Sequence, residues 1–116
     1  MYSRSLMNVT LLLLLLLGCA PRSPAPQVLS DGVRFYYHAP DAKRVAIAGS
    51  FNHWDQYLNY LMGPDKKGIW TITLPLSTGR VEYRFVINNS EWVLDPAAPS
   101  IDDGFDGKNS FVIVPP

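Results

Sequence analysis

The stretch EYRFVIN, residues 82–88, decides the fold. Tyr83, Phe85 and Ile87 fall on one face of an extended chain, and Arg84 and Val86 on the other. This two-residue period marks a strand with one side in a core. Working outward, the same period recurs in RVAIAGS (44–50), where Val45 and Ile47 point one way. In GIWTITLPL (68–76), Ile69, Thr71 and Thr73 oppose Trp70, Ile72 and Leu74, which makes Trp70 a core residue; Phe51 is expected in the core as well. The candidate strands are 33–38, 44–49, 57–62, 68–75, 82–88, 91–94 and 110–114, separated by the turn-forming runs APDAK, GPDKKG, LSTG and INNSE. No window carries a 3.6-residue repeat. Seven short strands of this kind predict an all-β sandwich.

The chain has 116 residues, 47% of them apolar, with ten basic and ten acidic side chains and zero formal charge. That is one globular domain at most. The only adjacent basic pairs are Lys43-Arg44 and Lys66-Lys67, too little positive charge for a nucleic-acid footprint.

The N-terminus follows a different logic: Arg4 in a short polar head, an unbroken leucine run at 11–17, then Gly18-Cys19-Ala20. This reads as an export signal, and its apolar stretch, interrupted by Asn8 and Thr10, is shorter than the ~20 residues a spanning helix needs. LLGC resembles the lipobox of bacterial lipoproteins, which implies a signal peptide at 1–18 and lipidation of Cys19. Cys19 is the single cysteine, and acylation accounts for a thiol with no disulfide partner. A flexible Pro/Ser tether is expected over 19–31 and a folded body over 32–116. The resemblance implies a lipid-anchored protein of the cell envelope, with Ala20 after Cys19 resembling outer-membrane sorting.

Catalytic chemistry has little to work with. His38 and His53 are the only histidines, and no phosphate loop or CxxC pair is present, so no metal or cofactor is expected. Glu82, Glu91, Asp95, Asp102, Asp103 and Asp106 offer carboxylates, but a glycosidase pair needs a deep cleft that a small sandwich seldom has. Asp95 before proline and Asp102-Asp103-Gly104 read as turn formers. The chain is expected not to be an enzyme.

Two indoles stand where polar loops meet strands: Trp54 in FNHWDQ and Trp92 after INNSE. An indole face suits the C–H underside of a hexose, whose hydroxyls then need polar partners around the rim. Arg84 and Asn109 are suitable donors. In order along the chain, VAIAGSFNHWD, GIWTITLPL, VEYRFVIN, EWVLDPAAP and GKNSFVIV resemble carbohydrate-binding module family 48, the glycogen-binding module of the AMP-activated kinase β subunit and of branching and debranching enzymes. The resemblance covers nearly all of 33–114. It implies an immunoglobulin-like early-set sandwich that binds α-1,4-glucan without catalysis. It also implies that Trp54 and Trp92 are the stacking rings, that Arg84 stands for the usual lysine, that Asn109 bonds sugar hydroxyls, and that Phe105 replaces a threading leucine. Two departures are visible: INNSEW makes the turn before Trp92 one residue longer, and Gly107 replaces a hydroxyl residue. The expectation for Trp54→Ala is weaker sugar binding with stability nearly intact. The alternative function is an early-set protein-interaction module in an envelope assembly.

Overall fold

A computed structural model describes residues 22–116, so the export-signal and Cys19 readings lie outside the described residues. The described residues form eight strands: β1 (Gln27–Leu29), β2 (Gly32–His38), β3 (Val45–Gly49), β4 (Ile69–Leu74), β5 (Gly79–Ile87), β6 (Glu91–Val93), β7 (Ser100–Asp102) and β8 (Lys108–Val114). There is no helix among the described residues. A three-stranded sheet runs β1-β2-β4; the second sheet runs β3-β5-β8-β7 with β6 also on β5, and every pairing is antiparallel. The all-β sandwich expected from alternation is what the chain adopts, consistent with an immunoglobulin-like fold.

The inward faces make the core. Val33 and Phe35 of β2, Val45 and Ile47 of β3, Trp70 and Leu74 of β4, and Tyr83 and Phe85 of β5 are buried together with Leu61. Phe35 meets Tyr83 edge-on at 4.8 Å between ring centres, and Tyr83 meets Phe85 at 5.7 Å, the offset geometry aromatic rings prefer. Trp70 donates its indole N–H to the Ala39 carbonyl at 2.8 Å, and Phe51 packs half-buried against the cluster.

Two expectations need correction, and one residue does more than expected. Segment 57–62 is not a strand. Ala46 bridges Tyr60 on one sheet, and Met62 bridges Thr71 on the other. The segment crosses between sheets, so neither pairing extends. β1 lies inside the stretch expected to be a free tether: Gln27, Val28 and Leu29 pair with Arg34, Val33 and Gly32, because a sheet edge supplies hydrogen-bond partners that outweigh proline-rich composition. Asp95, read as a turn former, is also a buried acceptor. Its Oδ1 takes the Ala97 N–H at 2.8 Å, as a turn residue would, while Oδ2 takes the Tyr83 hydroxyl at 2.7 Å beneath the sheet.

Candidate functional site

The outward face of the five-stranded sheet is built by the period read in β5. Arg84 and Val86 point out, opposite Ala48 and Ala46 of β3, and Val86 also faces Trp92 of β6. Methyl side chains at 46 and 48 leave a shallow floor. Trp54 packs across it, and Ala46, Ala48 and Val86 beneath are fully buried. Trp54 is therefore both a wall of the site and a cover for three residues.

A loop carries Trp54 there. The Gly49 carbonyl accepts N–H groups from Asn52 at 3.1 Å and Trp54 at 3.0 Å. Asn52 is buried: its Oδ1 accepts the Gly49 N–H at 2.9 Å, and its Nδ2 donates to Ile47 O at 3.0 Å and Asn59 Oδ1 at 2.8 Å. His53 and Trp54 have φ of 57° and 59°, a left-handed pair that turns the chain back toward the sheet. Side chains there cost about 1 kcal/mol each, so the surrounding bonds must hold them.

Trp92, 38% exposed, arrives by register. The longer turn before it closes with Asn88 and Asn89 at φ of 51° and 61°, and the Ser90 N–H bonds the Ile87 carbonyl at 3.1 Å. Asparagine tolerates this region, which matches the twist of a hairpin. The added residue does not displace Trp92 from the face that carries Trp54. The turn also holds its neighbours. Asn88 Oδ1 accepts the Lys43 and Arg44 N–H groups at 2.8 and 3.2 Å. Asn89 Oδ1 accepts the Tyr60 hydroxyl at 2.9 Å, and its carbonyl accepts Gln56 Nε2 at 3.0 Å. The loop bearing one indole is thus tied to the hairpin bearing the other.

Arg84 is held on two sides. Its Nε donates to Asn109 Oδ1 at 2.9 Å, and its Nη2 donates to Asp103 Oδ2 at 2.9 Å. Asn109 is buried and also donates Nδ2 to Glu82 Oε1 at 3.3 Å. Within the fold Asn109 positions Arg84, in addition to reaching the site surface. Three of the five guanidinium N–H groups remain for a ligand. Phe105, 89% exposed, tops the 103–107 loop, where Asp103 Oδ1 accepts the Phe105 and Gly107 N–H groups at 2.7 and 3.0 Å. These backbone bonds, with Arg84 adding to them, hold the Asp103 carboxyl below its ordinary range.

Trp54, Arg84, Trp92, Phe105 and Asn109 line one cleft of about 300 Å³, and Asp103 completes it. Sequence reasoning placed Asp103 only in a turn; an outward arginine beside a loop rich in aspartate was the available signal. Asn52 and Asn89 gave no such signal, since their partners are remote in sequence or are backbone groups. A larger hollow of about 550 Å³, bounded by 28–32, 75–78 and 114–116, has no aromatic wall. Among the described residues no group of three His, Cys, Asp or Glu side chains is placed to hold a metal ion.

The family described as carbohydrate-binding module 48 (isoamylase N-terminal domain) matches residues 16–98. Similar curated proteins are 1,4-alpha-glucan branching enzymes GlgB. That of Methylobacillus flagellatus is 40% identical over 60 residues, 52% of this chain and 8% of the enzyme. That of Nitrosomonas eutropha is 40% identical over 58 residues, 50% of this chain and 8% of the enzyme. That of Francisella tularensis subsp. novicida is 32% identical over 62 residues, 53% of this chain and 10% of the enzyme. The chain spans a tenth or less of the length of these relatives.

Proposed function

The chain belongs to the carbohydrate-binding module 48 family, and from that premise we propose that it is a non-catalytic α-glucan-binding module whose sugar platform is the Trp54–Trp92 cleft. The observation that carries the reading is the convergence of Trp54, Arg84, Trp92, Phe105 and Asn109 on one surface from four separate parts of the chain. The indoles stack on the apolar undersides of successive glucose rings, Arg84 donates to hydroxyls at the rim, and Phe105 packs against the chain from its loop. Asn109 contributes through its hold on Arg84 and through any amide capacity left at the cleft surface. We further propose that the module is exported and anchored to the cell envelope by lipid on Cys19, residues 22–26 then linking anchor and sandwich. Each methylene of an acyl chain adds roughly 0.8 kcal/mol, and several chains together hold firmly.

Stacking that removes ~60 Å² of apolar surface per indole contributes about 1.5 kcal/mol per ring at ~25 cal/mol/Å². With a few hydrogen bonds near 1 kcal/mol net, set against the cost of association, the expected Kd for maltooligosaccharides is roughly 10 μM to 1 mM. Isothermal titration of the folded protein with maltoheptaose tests this; absence of heat at millimolar sugar removes it.

A second reading, a docking module for an envelope protein, draws on the exposed apolar side chains Tyr57, Leu58 and Met62, the last 81% exposed. Stoichiometric recovery of one envelope protein, insensitive to added glucan and lost on changing Met62 to a charged residue, favours it over the first.

A further inference from the structure

Among the described residues, Arg84 is the only cationic side chain lining the cleft, and Asp103, its partner at 2.9 Å, is the only anionic one. Their side chains are 28% and 14% exposed, so the pair sits at the cleft wall with limited water around it. Gly107 leaves room for the contact: a Cβ at that position would lie 2.6 Å from Asp103 Oδ2 and 3.3 Å from Arg84 Nη2, so a side chain there would require the Asp103 carboxylate to shift. Asp103 thus occupies space that the hydroxyl residue expected at 107 from the family resemblance would need.

Resting on the glucan reading of the cleft, we infer that Asp103 is a specificity-determining residue: by neutralising Arg84 it selects uncharged glucans against chains bearing carboxylate or phosphate groups. A lone guanidinium beside two indoles attracts anions as readily as hydroxyls. With the Asp103 carboxylate in contact, an anion reaching the remaining N–H groups of Arg84 meets a like charge within a few ångströms. The surroundings reinforce this sign. Asp106 lies on the same loop as Asp103, and Asp102 ends β7 just before it, paired across the ladder with Lys108 of β8, while Glu82 borders Asn109 and is itself paired with Arg80 at 3.6 Å. A neutral hydroxyl, which both donates and accepts, suits the pair. Three guanidinium N–H groups are open, and Asp103 Oδ2, which accepts one bond where Oδ1 accepts two, has acceptor capacity left. Asp103 stays ionised through the neutral range because its backbone bonds and Arg84 favour the charged form.

The test compares maltoheptaose with fully C6-oxidised maltoheptaose, in which every ring carries a carboxylate and no binding register avoids Arg84. Titrations run near 50 mM salt with wild type, Asp103→Asn and Asp103→Glu, each checked for folding by its melting curve. Asparagine keeps an acceptor for the Phe105 and Gly107 N–H groups, so the loop survives the change. Wild type is expected to bind the oxidised chain at least about tenfold more weakly than the plain one, with the gap narrowing as salt rises. Asp103→Asn is expected to close most of that gap, and Asp103→Glu to restore it. The inference is overturned if wild type binds both oligomers alike, or if Asp103→Asn lowers both affinities by the same factor, which would make Asp103 only a support for Arg84. If wild type binds neither oligomer, the glucan reading itself fails and this inference falls with it.

Discussion

Trp54→Ala separates the covering role that the fold gives this ring from the stacking role proposed for it. The indole packs on Ala46, Ala48 and Val86, all fully buried, so truncation opens their apolar surface to water. Taking that surface as ~100 Å², the loss is about 2.5 kcal/mol at ~25 cal/mol/Å². Alanine retains a Cβ, so the left-handed conformation at 54 stays as costly as before and offsets none of this. For a domain of this size the melting temperature should fall by about 10 °C or more. The expectation from sequence, near-intact stability, is therefore revised. The affinity loss is separate: ~60 Å² of stacking contributes about 1.5 kcal/mol, close to a tenfold rise in Kd. Thermal melts by circular dichroism give the first quantity. Titration with maltoheptaose at 10 °C, where the variant remains folded, gives the second. A melting temperature within 2 °C of wild type, a tolerance set by ~0.5 kcal/mol of stability, refutes the covering role. Unchanged affinity in the folded variant refutes the stacking role, and the two results are independent.

Asn52→Ala leaves the buried Gly49 N–H and Ile47 carbonyl short of a partner and should cost about 2 to 4 kcal/mol in denaturant unfolding, with near-wild-type stability counting against the anchoring role. Asn89→Gly keeps the left-handed turn but removes the acceptor for Tyr60; a loss of about threefold in glucan affinity with a melting shift of only a few degrees is expected, and an unchanged Kd disconnects the hairpin from the binding face. Burial raises the Asp95 carboxyl above its ordinary range, partly opposed by bonds from the Tyr83 hydroxyl and the Ala97 N–H. Between the unfolded value near 3.8 and the raised folded one, the native state holds more protons than the unfolded chain, so Asp95 makes stability fall as pH rises through that window. Asp95→Asn removes this contribution, and the stability of the variant relative to wild type should rise with pH across the same window; a pH-independent difference refutes it.

Alternation made most of the fold readable because it reports which face of a strand meets the core. It does not report what covers the outward face: in β3, read as a strand with Val45 and Ile47 pointing one way, as observed, Ala46 and Ala48 are buried as well, under Trp54. It failed at 57–62, where β-prone residues in fact bridge both sheets, and at β1 and β7, each only three residues long. Short strands owe their pairing to the neighbour that binds them, which composition does not reveal.

The candidate binding face divides along a related line. Trp92 and Arg84 are held by strand register, so period and motif were enough to find them, and moving either would break sheet pairing. Trp54 is held by a loop, and a loop-borne ring is fixed only if side chains immobilise it. That work falls to Asn52 from within and to the Asn88-Asn89 turn from across the cleft, through Gln56 and Tyr60. Neither asparagine has a sequence signature, because any small polar residue in a turn reads the same way until its partner is known. The physical need can still be inferred: association costs freedom in every group it orders, and weak stacking of about 1.5 kcal/mol per ring leaves little to spend on ordering a loop. On the glucan reading, a module with the proposed affinity must fix its loop-borne indole before the sugar arrives, and Asn89 supplies that hold through Gln56 and Tyr60.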